Sequence, residues 1–185
     1  MNSRAQVRRD VLFLFLAASA AYLWQLGAGS LASWDEAYYA VTSRGIFQTG
    51  DWVHLRFFDT PIFDKPPLYY WVTAVFYHLA GVSEWTTRLF SALSGIGLVI
   101  AVYVLGRELF GRQAAVAAGV VLLTSKDFIH YARWGTLDVA ECLFLTLAVI
   151  GFVRGFSRPA SWLLFWVACA LAVMTKGPLI LLIWA

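Results

Sequence analysis

The chain has 185 residues, of which 61% are hydrophobic and only 14% charged, with a formal net charge of +3. Soluble domains average roughly 45–50% apolar and about 25% charged residues. The composition therefore excludes a disordered chain, an ordinary soluble domain and, with two cysteines, a disulfide scaffold. What remains is a polytopic membrane protein. The small, dispersed positive charge gives no nucleic-acid footprint, and the 9 Trp, 8 Tyr and 14 Phe residues suit a bilayer and its interfaces.

In chain order, charge-free intervals mark the spans. Asp10 and Asp35 bracket 24 uncharged residues, Arg88 and Arg107 bracket 18, and Arg158 and Lys176 bracket 17. A spanning helix needs about 17–25 apolar residues. The predicted spans are 11–29, 87–106, 113–131, 137–155 and 160–176, with a further one beginning at 178. Arg4, Arg8 and Arg9 before the first apolar stretch, with Ala28-Gly29-Ser30 after it, also fit a cleavable signal peptide. The length of that stretch and the spans that follow favour an anchor. The tail and the loops 106–113 and 154–159 carry seven arginines against two acids, whereas the other side carries seven cations and nine acids. The basic short loops are expected in the cytoplasm.

The opposite side then holds a long outer loop, 30–86. Ser33 and Glu36 fit a capping box, which starts a helix over about 34–48 with Asp35 in its first turn. An acid there is accounted for by the helix dipole alone, and Glu36 reads better as a cap than as a catalyst. Asp64-Lys65 precedes the diproline Pro66-Pro67, which holds the preceding backbone extended. This spelling suits a surface ion pair, and equally a lysine aimed at a lipid phosphate. Residues 66–83 are uncharged but short and rich in Tyr and Trp, as expected of an interfacial or re-entrant helix. Asp138 and Glu141 share one face of the fourth span near its outer end, where they are either interfacial acids or functional ones. Thr175-Lys176-Gly177-Pro178 is an ordinary helix stop that also brings Lys176 to the outer side. Cys142 and Cys169 fall in separate spans and suggest packing. His54, His78 and His130 show no metal-ligand spacing.

Taken together, these segments resemble the integral-membrane, polyprenyl-phosphate-dependent glycosyltransferases of the GT-C fold. The likeness is to the branch containing the lipid A aminoarabinose transferases and the relatives of the dolichyl-phosphate-mannose protein mannosyltransferases. It rests on W-D-E-A-Y-Y (34–39), F-D-K-P-P-L-Y-Y-W (63–71), E-W-T-T-R-L-F-S-A-L (84–93), G-R-E-L-F-G-R (106–112), A-R-W-G-T-L-D (132–138) and T-K-G-P (175–178), in order. The resemblance implies an all-α, polytopic transmembrane bundle with interfacial helices in the first outer loop. It implies Asp35 as the catalytic carboxylate, Asp138 as a second functional acid, Lys65 on the donor phosphate and Lys176 as a further polar residue of the outer cavity. Glu36, Tyr38 and Arg133, in the same motifs, complete the candidate donor-cavity set. Tyr38 stands where some relatives carry Arg, and Asp64 where some carry a Glu assigned to a divalent metal.

The expected reaction is transfer of one sugar from a polyprenyl-phosphate donor to a lipid, glycan or protein acceptor. The protein is expected in the cell membrane, with its N-terminus cytoplasmic and its site on the outer face. A transporter or flippase of lipid-linked substrates, and a non-catalytic membrane fragment, are the alternative classes. Clustering of the polar motifs on one face, with no path across the bilayer, weighs against transport.

Overall fold

The structure is a computed structural model that describes residues 3–31 and 34–178. The described residues form eight α-helices and one two-stranded hairpin. They are α1 (Ser3–Leu23), α2 (Trp34–Thr49), β1 (Arg56–Phe57), β2 (Thr60–Pro61), α3 (Leu68–Ala80), α4 (Glu84–Phe110), α5 (Arg112–Thr124), α6 (Lys126–Ala132), α7 (Asp138–Gly155) and α8 (Ser161–Lys176). The all-α expectation holds. The hairpin, in register Arg56↔Pro61 and Phe57↔Thr60, is the one element of the outer loop that the sequence did not signal. Its tip residue Phe58 sits at φ 51°, an unusual conformation for a bulky side chain.

α4 is the central helix. It packs against α1, α3, α5 and α7, and among the described residues it alone is long and apolar enough to cross a membrane by length and composition. α5 and α8 are apolar but shorter. Its start is fixed by a capping box: the Ser83 hydroxyl accepts from the Thr86 amide at 3.2 Å, and the Thr86 hydroxyl accepts from the Ser83 amide at 3.0 Å. One core groups Leu14, Ala18 and Tyr22 of α1 with Ile96, Val99 and Tyr103 of α4 and Ala115 of α5. A second joins Ala140, Phe144 and Ala148 of α7 to Phe165, Ala168 and Ala172 of α8. A third lies under the outer segment, where Tyr39 and Ile46 of α2 meet Tyr69, Tyr70 and Ala74 of α3 and Leu137.

Helix–helix approach depends on small residues, as expected where lipid removes the hydrophobic drive for association. A Cβ on Gly151 of α7 would lie 2.5 Å from the Phe165 amide nitrogen. The α7–α8 hairpin is thereby closed tightly, which sets the register between its two outer ends.

Two predicted spans differ from the helices formed. The first, expected over 11–29, is α1 at 3–23. It starts earlier because Asp10 is no solvated flank: its carboxylate receives two bonds from Arg112, at 2.7 and 2.9 Å, and one from the Tyr103 hydroxyl. It ends earlier because Arg133 draws off the carbonyls of Ala21, Trp24 and Gln25. The span expected over 113–131 is broken at Ser125, whose backbone is extended (φ −64°, ψ 122°), and resumes as α6. The short outer segment is α3, whose 13 residues reach about 20 Å, less than the ~30 Å hydrocarbon core. The expected cap Ser33 and all but the first residue of the span predicted from 178 lie outside the described residues.

Candidate functional site

The contacts sort the charged residues to the two ends of the bundle. At one end, Asp10 binds Arg112, and Glu108 binds Arg154. These are the residues of the basic loops, tied across α1, α4, α5 and α7. At the other end are all the residues singled out as candidates for chemistry.

There, α2 turns Asp35, Tyr38 and Tyr39 towards a cavity of about 640 Å³, whose other walls include Phe57 and Phe58 of the hairpin and the pair Asp64-Lys65. Asp35 is exposed on this wall. The Tyr38 hydroxyl donates to Asp64 Oδ1 at 3.0 Å, and its ring packs on Phe57 at 4.7 Å between centroids. Burial, and then the Asp64 carboxylate, push the Tyr38 phenol up to about 12. It therefore remains a hydrogen-bond donor at neutral pH. Tyr39, buried behind it, is held above the ordinary tyrosine value by burial first and then by the negative charges of Asp35, Asp138 and Asp64. Three carboxylates from three different segments thus surround one phenol. No ion pair involving Lys65 occurs among the described residues, which leaves its ammonium on the cavity wall suited to an anionic group.

Asp138 and Glu141 occupy the first turn of α7. Lys176, in the last turn of α8, donates to Asp138 Oδ1 at 2.5 Å and lies 3.7 Å from Glu141 Oε2. The T-K-G-P segment thus does more than end a helix. Its lysine is spent on two carboxylates, not aimed at an open cavity as a phosphate ligand would be.

Two other candidate residues act elsewhere. Glu36, next to Asp35, points the opposite way and is buried. Its carboxylate accepts from Arg88 at 2.7 and 3.1 Å and from the Gly135 amide at 3.0 Å. Arg88 also donates to the carbonyls of Leu26, Ala28, Gly29 and Ser30. Glu36 is therefore an anchor between α2, α4 and the loop before α7, with no face on the Asp35 cavity. Arg133 is likewise committed to the carbonyls that end α1. It borders a separate cavity with Arg88, His130 and Trp134, so neither residue stands at the Asp35 cavity.

The residues missed by sequence reasoning are those that hold this arrangement. Arg88 had served only to mark the edge of a span, although a charge at the start of an apolar helix is itself a signal. Ser91 bonds both the carbonyl and the amide of Thr136, at 2.8 and 3.1 Å. Thr87 holds the Tyr77 hydroxyl at 2.7 Å. The E-W-T-T-R-L-F-S segment is thus the clamp on which α2, α3 and the 133–137 loop are assembled.

Asp64 gives one oxygen to Tyr38, and no group of three or more His, Cys, Asp or Glu side chains converges among the described residues. These residues alone do not fit a divalent cation. Both cysteines are free. His54 lies against Asp51, His78 against Phe47 and Trp52, and His130 against Trp134.

Residues 64–185 match the family model described as dolichyl-phosphate-mannose-protein mannosyltransferase. An uncharacterized protein of Aquifex aeolicus is 31% identical over 167 residues, covering 85% of this chain and 32% of the relative. The undecaprenyl phosphate-alpha-4-amino-4-deoxy-L-arabinose arabinosyl transferase of Pseudomonas savastanoi pv. phaseolicola is 31% identical over 176 residues, covering 91% and 33%. ArnT from Cupriavidus metallidurans in the apo state superposes with a TM-score of 0.85 at 31% identity, over 94% of this chain and 35% of that one. The same protein bound to undecaprenyl phosphate gives a TM-score of 0.83 at 29% identity, over 98% and 34%. The chain spans about a third of the length of the relatives it matches. The helical bundle is therefore of the GT-C type expected from its motifs, and the chain belongs to the dolichyl-phosphate-mannose-protein mannosyltransferase family.

Proposed function

We propose that this chain forms the donor-side part of a membrane glycosyltransferase that moves one sugar from a polyprenyl phosphate to a hydroxyl or phosphate acceptor. The observation that carries this reading is the single cavity lined by Asp35, Tyr38, Asp64 and Lys65, at the same end of the bundle as Asp138 and Lys176. A sugar on a polyprenyl phosphate already has a good leaving group. The acceptor then needs only a base, and the departing phosphate a cation. Asp35 takes the proton of an acceptor hydroxyl as its oxygen bonds to the anomeric carbon. The bond from that carbon to the phosphate oxygen breaks, the electron pair leaves with the phosphate, and Lys65 receives the charge. One displacement inverts the anomeric centre.

The basic end, with Arg107, Arg112, Arg154 and Arg158, is assigned to the cytoplasm. The cavity then opens on the non-cytoplasmic face, where the headgroup of a membrane-bound donor lies. The names of the relatives support undecaprenyl phosphate-linked aminoarabinose as a first donor to test, with dolichyl phosphate mannose as a second. The test is transfer of radiolabelled sugar by the full-length protein in membranes. Asp35→Asn is expected to bind donor and lose turnover. Wild-type turnover in that variant refutes the base assignment. Movement of donor across the bilayer without transfer refutes the enzyme reading in favour of a transporter.

A further inference from the structure

Glu141 has no part in that chemistry, yet it is a buried acid in the first turn of α7. Such a group is costly unless neutralised. It is 5% exposed. Its Oε1 has no hydrogen-bond partner among the described residues, and its Oε2 lies 3.7 Å from the Lys176 ammonium. That separation is an ion-pair contact and too long for a hydrogen bond. The hydrogen bond of Lys176 goes to Asp138 Oδ1, at 2.5 Å. Asp138 and Glu141 are three residues apart and lie on one face of α7. The ammonium is thus held between two carboxylates of one helix, reached from the end of the neighbouring helix.

From this geometry we infer that Glu141 is a positioning residue of the transfer site, acting through Lys176 to fix the carboxylate of Asp138. The Asp138 side chain is 48% exposed. Tied to it alone, a flexible lysine would follow its rotations. Glu141 draws the ammonium inward from a buried, fixed point, so Asp138 Oδ1 is pinned and Oδ2 is left outside that contact. The tight α7–α8 contact at Gly151 sets the register that brings Lys176 opposite this pair. Lys65, across the site, also bears on Glu141.

The inference rests on the transferase reading, and its test separates the two. The full-length protein in membranes is assayed with undecaprenyl phosphate-aminoarabinose and with dolichyl phosphate mannose. Turnover is expressed per folded enzyme, for wild type, Glu141→Gln, Lys176→Met and the double variant. E141Q is expected to lower kcat about tenfold with the donor KM changed less than about twofold, since small misplacements of a group at the transfer site cost rate more than binding. In the K176M background, E141Q is expected to change kcat by less than about twofold, because a residue that acts through another has nothing left to act on. A purely structural Glu141 would lower the amount of folded protein, not the rate per molecule. Should E141Q fail to fold, Glu141→Asp, which keeps the charge but withdraws it by one methylene, is expected to show the same kcat loss. Wild-type kcat in E141Q, losses that multiply with K176M, or a change confined to donor KM overturns the inference while leaving the transferase reading intact. Failure of the wild-type protein to transfer from either donor overturns the transferase reading, and this inference with it.

Discussion

Arg88 is where the outer segment is held to the bundle, and its removal is the perturbation with the largest expected effect on stability. The Glu36 and Arg88 side chains are 1% and 9% exposed. Their two hydrogen bonds, at 2.7 and 3.1 Å, close a bidentate pair. The same guanidinium collects four carbonyls of the chain that follows α1. Arg88→Met leaves the Glu36 carboxylate buried with the Gly135 amide among its remaining donors, and strips those carbonyls. Breaking one side of a buried pair costs about 3–5 kcal/mol. At about 2–4 °C per kcal/mol for a domain of this size, the melting temperature should fall by roughly 6–20 °C. The measurement is thermal unfolding of the full-length protein in detergent, followed by tryptophan fluorescence. Glu36→Leu in the R88M background removes the stranded charge and should recover part of the loss, so the pair should show a coupling energy above about 1 kcal/mol. An R88M protein that melts within 2 °C of wild type, or a cycle with no coupling, refutes the anchor assignment.

Three further outcomes follow from the packing and the charges. Gly151→Ala, whose new methyl would meet the Phe165 backbone at 2.5 Å, should cost about 1–3 kcal/mol by overpacking, read as a lower melting temperature. Asp10→Asn should destabilise by about 1–3 kcal/mol, because the buried acid loses a charge-assisted bidentate contact while the half-exposed Arg112 regains water; an unchanged melting temperature would show that pair to be dispensable. Tyr38 has a phenol raised from 10 to about 12. Its folded value exceeds its unfolded one, so its contribution to stability is complete below pH 10 and is lost as pH rises through 12. Difference absorbance at 295 nm should show Tyr38→Phe deleting a tyrosine that titrates near 12; deletion of one that titrates near 10 would contradict the burial of the phenol and its Asp64 contact.

How much of this was legible depends on the range over which each feature is determined. α4 and α8 follow from uninterrupted apolar stretches with a charge at each edge, α7 from a shorter apolar run extended over its flanking charges, and the start of α2 from the S-x-x-E spelling at Ser33 and Glu36. Those are local signals. Glu36 was read locally as well, as a cap, because its principal partners are 52 and 99 residues away and no periodicity encodes them. Asp10 marked the boundary of a span for the same reason, since Arg112 lies 102 residues on. Arg133 carries the charge wanted at a phosphate site, and only the fold reveals that the free carbonyls ending α1 claim it first. The break at Ser125 coincides with Lys126-Asp127, charges that the predicted span ran across, and the chain turns there because Ser125 adopts an extended backbone. The motif resemblance reached further than any of these local readings. It carries residue order from 34 to 178, and order is what brings Asp35, Lys65, Asp138 and Lys176 to one end of the bundle.

The opposed fates of Asp35 and Glu36 show how such a motif works. Successive residues of a helix project about 100° apart, so two adjacent acids cannot serve the same surface. Asp35 takes the cavity side and stays exposed. Glu36 takes the core side and is locked to Arg88 and Gly135. The loop held by Glu36 runs directly into Asp138, and the helix that carries Arg88 also carries Ser91, which grips that loop at Thr136. The positions of Asp35 on α2 and of Asp138 on α7 are therefore set by one shared anchor beneath them. The chemistry faces outward from residues that the sequence marks clearly, while the geometry between them is decided by the neighbour pointing the other way.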